Sequence, residues 1–385
     1  MRRSRACIAA AAAVLAVCAL AASGAYARTA RAAEAPSAFG HGADHALFVQ
    51  TDNPAGNQVV AYTRAADGTL TASNSYPTGG LGGVLGGSVV DHLASQGSLT
   101  YDQQHALLYA VNAGSNTVSV FLVRGDRLSL AQVLGSGGTF PVSVAVHGDV
   151  VYVLNAENGG AVQGFFVLFD HLIPIPGSNR PLGLDPAATP QFTTTPGQVA
   201  FSPDGSALIV TTKANGNDVD VFGVGPFGLL SGSPVVNSEP GTAPFAVSFD
   251  RSGNLVVAEA GTNALATFRL NRDRTITQLA FVPTGQAATC WIAPAGGLFY
   301  ASNAGSGSVS GYRSGGGGSL ALLGASATDP GTVDASASPD GRFLYVQTGA
   351  SGIVDEFHVN PDGSLAEIGT VTVPGAAGGE GIVAS

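Results

Sequence analysis

The chain has 385 residues, including 54 glycines, and a formal net charge of −10. An excess of acidic residues repels phosphate backbones, so the composition argues against a nucleic-acid partner. The abundance of glycine and the scarcity of long helical patterns favour one large all-β domain over several smaller domains.

The N-terminal segment 1–32 has the layout of a secretory signal peptide. Three arginines within the first five residues precede an unbroken apolar run at 8–22, and Ala-x-Ala sites end at Ala27 and Ala32. The apolar run is shorter than the roughly 20 residues that span a bilayer. We therefore expect an extracellular protein without a membrane span. Five arginines and no acid leave with this segment, so the domain at 33–385 has a net charge of −15.

Cysteine content predicts that no disulfide holds the exported domain together. Cys7 and Cys18 lie in the predicted signal peptide, which leaves Cys290 alone. Because unpaired cysteine behaves as a small apolar side chain, we expect Cys290 to be buried beside Trp291.

Seven copies of one unit follow the leader. Each copy is an apolar strand, a loop of small polar residues, and a second strand that ends in an aromatic residue. The closing aromatics are Tyr62, Phe121, Phe165, Phe222, Phe268, Tyr312 and Phe357. Four of their six spacings are 44 to 46 residues, which is typical of the four-stranded blade of a propeller. The repeat predicts a seven-bladed β-propeller at 33–385.

Two further strands, one before and one after each copy, complete four antiparallel strands, A to D. The segment 198–205 illustrates strand A and its Ser-Pro-Asp-Gly turn, in which proline and glycine favour a sharp reversal. The segment 362–373 illustrates the weaker strand D. The first copy lacks a strand A, whereas 379–385 resembles a strand A with no strand B after it. The C-terminal strand is therefore predicted to complete the first blade and close the ring.

The two long spacings, 59 and 57 residues, come from insertions between strand D and the next strand A, at about 79–96 and 175–196. In a meander blade these D-to-A connections share one face of the propeller with the B-to-C loops. We call this the loop face. Insertions concentrated on one face of a repeat protein usually mark its binding side.

Three charged residues on the loop face are candidates for chemistry. Glu259 ends a strand where most copies carry a neutral polar residue, and a partly dry channel would raise its pKa and suit it to act as a general base. Lys213 is the only lysine of the chain, and Arg180 could clamp a carboxylate. A solvated loop acid and chance composition are the alternative interpretations of Glu259 and Lys213.

The remaining substrate-binding candidates are polar residues of the same face: His92, Gln198, Asn112, Asn155 and Asn303. The three asparagines recur at one position of the unit, where asparagine often bonds its own backbone, so a turn role and a ligand role are both open. His92 follows Asp91, which makes an acid–base pair on the first insertion. No phosphate-binding loop or metal motif is found, and no cofactor is expected.

The copies LYAVNAGSNTVSVF and GLFYASNAGSGSVSGY resemble the YVTN-type propeller repeat. From about residue 40 to 385 the chain resembles the seven-bladed lactonase family, which includes 6-phosphogluconolactonases and carboxymuconate-lactonising enzymes. The family often has a glutamate at the end of a strand B, and VVAEAGTNALATF places Glu259 there. The resemblance implies a catalytic role for Glu259.

Three functions remain open at this point. The leading hypothesis is an extracellular, monomeric lactonase that hydrolyses or forms a small lactone, with Glu259 as the base and Lys213 or Arg180 as its cationic partner. The second is a non-catalytic extracellular binding or cell-envelope propeller, as the YVTN-type repeat suggests. The third is a calcium-dependent lactonase in which the three asparagines and Glu259 supply oxygen ligands.

Overall fold

The computed structural model describes residues 45–385, in which β-strands form nearly all of the regular structure. The predicted signal peptide lies outside these residues. The strands are β1 (Ala46–Gln50), β2 (Gln58–Arg64), β3 (Leu70–Pro77), β4 (Leu99–Asp102), β5 (Leu107–Asn112), β6 (Thr117–Arg124), β7 (Arg127–Gly135), β8 (Pro141–His147), β9 (Val150–Asn155), β10 (Ala161–Leu168), β11 (His171–Pro174), β12 (Arg180–Pro181), β13 (Val199–Phe201), β14 (Ala207–Thr211), β15 (Asp218–Gly223), β16 (Val235–Ser238), β17 (Pro244–Phe249), β18 (Leu255–Glu259), β19 (Ala264–Leu270), β20 (Ile276–Pro283), β21 (Thr289–Ala295), β22 (Leu298–Asn303), β23 (Ser308–Ser314), β24 (Leu320–Ala327), β25 (Thr332–Ala337), β26 (Phe343–Thr348), β27 (Ile353–Val359), β28 (Leu365–Thr372) and β29 (Ile382–Ala384). Two short helices are α1 (Gln191–Thr194) and α2 (Lys213–Gly216). Within the same residues, no helix has the length and apolar character that crossing a bilayer requires.

The strands form seven antiparallel sheets, and each sheet is one blade. Blade 1 has the order β29-β1-β2-β3. Blades 2 to 7 follow in chain order, beginning with β4, β8, β13, β17, β21 and β25, and β12 adds a short edge to blade 3. The predicted seven-bladed architecture with four strands per blade is confirmed.

The ring closes through the C-terminal strand. Strand β29 pairs antiparallel with β1, with Leu47 opposite Ala384 and Val49 opposite Ile382. The backbone N–H of His45 donates to the Ser385 carbonyl at 3.1 Å, so the first and last described residues are neighbours. This arrangement confirms the closure predicted from the unpaired strand at 379–385.

Burial explains the aromatic period of the sequence. All residues of β5 are buried, whereas most of the outer strand β3 is exposed. The seven closing aromatics are all buried, and they pack in cores between neighbouring blades, as Phe121 does with Phe48 of blade 1. The aromatic at the end of each strand C therefore joins one blade to the next.

A second repeated device joins the blades on the loop face. Three asparagines of B-to-C loops, Asn116, Asn217 and Asn263, have φ of 57°, 54° and 52°. Asparagine tolerates this left-handed conformation better than most residues. Each side-chain oxygen accepts a backbone N–H at the start of the following blade, from Phe140 (2.8 Å), Ala243 (3.2 Å) and Thr289 (3.3 Å) respectively.

Candidate functional site

The first insertion ends in a segment, 91–96, that lies across the central axis; we call it the plug. The Trp291 indole N–H of blade 6 donates to the Ser95 carbonyl at 2.6 Å. The Gln96 side chain exchanges two hydrogen bonds with the backbone of Ile292, at 2.8 and 2.9 Å. Because the plug leads into blade 2, these bonds link blades on different sides of the ring.

On the loop face the plug borders a pocket of about 470 Å³. Both insertions contribute to its wall, and they contact each other where the Gly86 N–H donates to the Gln191 side chain at 2.8 Å. B-to-C loops and the first residues of strands A form the rest. The wall consists of Ser88, Val89, Val90, Asp91, Ala94, Phe192, Thr193, Lys213, Ala214, Ala243, Phe245, Ala260, Gly261, Ala288, Cys290, Trp291 and Ala304. The two insertions thus build the pocket on the face that the sequence predicted.

Lys213 is buried in this wall and makes three hydrogen bonds. Its ammonium donates to the carbonyls of Ala94 (2.6 Å) and Phe192 (2.9 Å) and to the Thr195 hydroxyl (3.1 Å). It also lies 5.3 Å from the centre of the Phe245 ring. Burial lowers the pKa of Lys213 to about 8, and the nearby Asp91 opposes this change. All three ammonium N–H groups therefore donate to protein atoms. Lys213 contributes a positive charge to the pocket but has no N–H group left to bond a ligand.

Asp91 is the acidic residue among those that line the pocket. Its Oδ1 accepts the Leu93 backbone N–H at 2.9 Å, and among residues 45–385 its buried Oδ2 has no hydrogen-bond donor. Burial raises the pKa of Asp91 to about 6. Backbone N–H groups and the Lys213 charge act in the opposite direction and limit this increase. A carboxylate with this pKa is ionised at neutral pH and can accept a proton.

Three more buried carboxyl groups lie behind the plug. Glu380 accepts the Ser95 backbone N–H (3.1 Å) and hydroxyl (2.7 Å), and burial together with the charges of Asp91, Asp334 and Asp52 raises its pKa well above the usual range. Burial also raises the pKa of Asp52 and of Asp334 to about 7. Asp334 lines a second cavity, of about 540 Å³, with inner-strand residues.

The sequence matches the family described as "Lactonase, 7-bladed beta-propeller" over residues 84–378. The chain belongs to this lactonase family. A putative 6-phosphogluconolactonase from Bacteroides uniformis is 18% identical, with a TM-score of 0.70, and the match covers 88% of this chain and 98% of that one. The periplasmic gluconolactonase of Pseudomonas aeruginosa is 17% identical, with a TM-score of 0.66 and the same coverage. At these identities the likeness shows the fold alone. No curated protein matches the sequence.

In this lactonase-family propeller, Glu259 lies beside the pocket and not in its wall. The next two residues, Ala260 and Gly261, line the pocket instead. Glu259 is buried, and its Oε2 accepts the Thr262 hydroxyl at 2.9 Å. Burial raises the pKa of Glu259 to about 7, and the Glu239 charge adds to this. The proton-accepting role of Glu259 stays a prediction.

The recurring asparagines serve hydrogen-bond networks within the fold, and the network of Asn112 in blade 2 includes two residues of blade 1 and the connection after it. Asn112 donates to Thr117 and Ser119 and accepts from Asn57 and Thr78. Asn303 makes the corresponding bonds to Ser308, Ser310 and Thr289. Asn155 donates to the Ser136 carbonyl at 3.2 Å, and no donor to its own side-chain oxygen is found within 45–385. None of the three is in the pocket wall.

The other predicted ligands are also used by the fold. Arg180 donates to the carbonyls of Ser231 and Leu230, each at 2.9 Å, and so ties the edge of blade 3 to blade 4. Gln198 accepts the Val247 backbone N–H at 2.6 Å and lines the 540 Å³ cavity. His92 lies 3.5 Å from the Asp52 carbonyl, and burial lowers the pKa of its imidazole. Of the predicted residues, only Lys213 is in the wall of the loop-face pocket.

Sequence reasoning missed the aromatic wall of the site. Phe192, Phe245 and Trp291 line the pocket, and the Phe245 and Trp291 rings meet edge to face at 5.0 Å. Cys290 is buried as predicted, and burial raises the pKa of its thiol to about 12. Within 45–385, no three His, Cys, Asp or Glu side chains are placed to share a metal ion.

The raised carboxyl pKa values predict that the protein is more stable in mild acid. A carboxyl whose pKa is higher in the folded state stabilises the fold below its unfolded pKa, near 4, and this stabilisation is lost as the pH rises through the folded value of about 7. We expect the melting temperature to fall between pH 5 and pH 8. Asp334→Asn should reduce the loss of unfolding free energy over this range by about 2 kcal/mol. Asp185→Asn, at an exposed position, is the matched control. An identical pH dependence in wild type and Asp334→Asn would contradict the interpretation.

Proposed function

We propose that the chain is an extracellular hydrolase of a small lactone, with the loop-face pocket as its active site and Asp91 as the general base. Family membership supports lactone chemistry, and the N-terminal sequence supports export. The observation that carries the proposal is Asp91, the acidic residue among those that line the pocket, whose buried carboxyl group has a pKa of about 6 that suits proton transfer at neutral pH.

In the proposed reaction, Asp91 removes a proton from a water molecule as the water oxygen attacks the lactone carbonyl carbon. The ester C–O bond of the ring then breaks, and the proton held by Asp91 passes to the departing ring oxygen. The product is the open-chain hydroxy acid, and Asp91 is again ionised. Lys213 acts through Asp91, because its positive charge favours the ionised carboxylate while its own N–H groups remain bonded to the protein.

Substitution of each carboxylate should show whether Asp91 or Glu259 is the general base. Asp91→Asn keeps an oxygen for the Leu93 N–H but cannot take a proton, so we expect kcat to fall by about 10²–10⁴-fold on any lactone that the wild type hydrolyses. Glu259→Gln, the matched control, should retain activity within about threefold, since Glu259 is outside the pocket wall. The measurement is acid release from a panel of lactones in a pH-stat.

The reverse pattern, with activity lost in Glu259→Gln and kept in Asp91→Asn, would move the base to Glu259. Thermal unfolding of both variants distinguishes loss of chemistry from loss of fold. A wild type that binds lactones but hydrolyses none of them would exclude the enzyme and support a small-molecule-binding propeller, the function that the apolar wall favours next.

A further inference from the structure

We propose that the ligand of the loop-face pocket is an apolar lactone, a ring that carries a hydrocarbon chain, and not a sugar lactone or its phosphate. This inference rests on the proposed function for the lactone ring, whereas the apolar class rests on the wall alone. Only four of the 17 described wall residues are polar: Ser88, Asp91, Thr193 and Lys213. The volume, about 470 Å³, is within the range of pockets that enclose small organic ligands.

The wall offers no free cationic donor to a phosphate. Its one cation, Lys213, donates to two carbonyls and a hydroxyl of the protein. Asp91 adds a negative charge to the same wall. A phosphate dianion would lose its hydration shell without gaining charge-assisted hydrogen bonds, which is strongly unfavourable.

Backbone donors of the B-to-C loops of blades 5 and 6 are also occupied. The N–H groups of Ala260, Gly261 and Ala304 donate to the carbonyls of Ala243 (3.2 Å), Thr242 (2.8 Å) and Ala288 (2.9 Å). A row of free backbone N–H groups is what a phosphate or a polyhydroxylated ring would need here. These loop residues therefore present their methyl and methylene groups to the ligand.

The rim extends the apolar surface beyond the pocket. Val89, on the first insertion, is 82% exposed and belongs to the wall. A hydrocarbon chain longer than the pocket would cover Val89 as it leaves. The aromatic residues Phe192, Phe245 and Trp291 supply the larger apolar surfaces inside.

Trp291 makes the inference directly measurable, because it is the only tryptophan of the chain and lies in the wall. We expect its fluorescence to report saturable binding of δ-lactones with alkyl substituents of increasing length. Each added methylene should lower Kd by about fourfold until the pocket is filled. Glucono-δ-lactone and 6-phosphogluconolactone should bind at least about 100-fold more weakly than the best alkyl lactone. Their hydroxyl and phosphate groups would lose bound water in the pocket without gaining hydrogen bonds from the wall.

A substitution at the rim supplies the matched test. Val89→Asp should raise Kd for the long-chain lactones by about tenfold and raise Kd for the unsubstituted ring by much less, because only a long chain covers the exposed side of Val89. Val236→Asp, the same change at an exposed valine of strand β16 outside the pocket, should alter neither Kd.

The outcomes separate the two proposals. Binding that strengthens with chain length, without hydrolysis, supports the apolar class and removes the proposed lactonase activity. Hydrolysis of glucono-δ-lactone with no dependence of Kd on alkyl length overturns the apolar class and leaves lactonase activity in place. A Kd for 6-phosphogluconolactone below that of every alkyl lactone also overturns the inference.

Discussion

Deletion of residues 379–385 is expected to lower the melting temperature by more than about 10 °C, or to abolish cooperative folding. The deletion removes strand β29, which leaves β1 as an open edge, and it takes the buried Ile382 out of the core shared by blades 1 and 7. Loss of such a side chain costs about 2–5 kcal/mol, and each lost ladder hydrogen bond about 1 kcal/mol more. This is a large part of the stability of a typical domain. Circular dichroism during heating measures the effect.

A permuted chain is the control for this deletion. Because the His45 N–H donates to the Ser385 carbonyl at 3.1 Å, a short linker can join residue 385 to residue 45. A chain that runs from 379 to 385, through that linker, and then from 45 to 378 keeps the pairing of β29 with β1. It should melt within about 5 °C of a linear chain of residues 45–385, since the two differ only in the linker and in where the chain ends lie. Equal melting temperatures for the intact and deleted chains would show that blade 1 does not need the C-terminal strand.

The fold could be predicted from the sequence because its core is periodic. The aromatic residue at the end of each strand C packs between blades, so the constraint that buries Phe121 in blade 2 also buries Phe268 in blade 5. Closure was predictable for a similar reason, since one strand was missing at the first copy and one was left over at 379–385. In a repeat protein, a missing or an extra strand is visible when the copies are compared.

The site could not be predicted in the same way, because its parts are not periodic. Ser95 meets Trp291, which is 196 residues away, and Ala94 meets Lys213 at a separation of 119 residues. Those contacts depend on the path of the first insertion, which no repeat position fixes. Lys213 was singled out from its rarity in the sequence, not from its surroundings.

Strand alternation explains why Glu259 is not in the pocket wall. Successive side chains of a strand point to opposite faces, so Glu259 shares a face with Leu255 and Val257. Those two residues pack on blade 4, and Glu239, which follows the outer strand of blade 4, acts on the pKa of Glu259. The resemblance to the family identified the position of Glu259. The direction of its side chain could be seen only from the way blades 4 and 5 pack together.

Lys213→Met is expected to destabilise the protein by about 3–5 kcal/mol at pH 7, where Lys213 and Asp91 are both mostly charged, because the substitution leaves a buried carboxylate without its cation. The substitution removes the donor from the carbonyls of Ala94 and Phe192, and it leaves Asp91 and Glu380 without their nearby cation. The effect should be smaller at pH 5, where the raised pKa values keep more of these carboxyls neutral. Thermal unfolding at both pH values measures the effect, and equal losses at pH 5 and pH 7 would contradict the charge argument.

The same substitution should change the pH dependence of hydrolysis. In the wild type, kcat/KM should rise with a midpoint near pH 6, the pKa of about 6 at which Asp91 becomes ionised. The Lys213 charge lowers that pKa, so its removal should move the midpoint upward by about one pH unit. The direction follows from Coulomb attraction alone, since an ionised carboxylate is stabilised by a neighbouring cation and loses that stabilisation in the variant. An unshifted midpoint in a folded variant would show that Lys213 does not set the ionisation of Asp91.

A double variant keeps the test decisive if Lys213→Met alone folds poorly. Asp91→Asn removes the charge that the lost lysine would leave unpaired, so Lys213→Met/Asp91→Asn should lose less unfolding free energy than the two single variants together. We expect a coupling of about 1–3 kcal/mol at pH 7, as for residues that belong to one charge network. Glu259→Gln combined with Lys213→Met is the matched control and should be additive, because no interaction with Lys213 contributes to the pKa shift of Glu259. Additivity in the first pair would mean that Lys213 is held by its three hydrogen bonds alone and that the ionisation of Asp91 depends on its other neighbours, the backbone N–H groups of Ala94 and Leu93 and the Glu380 side chain.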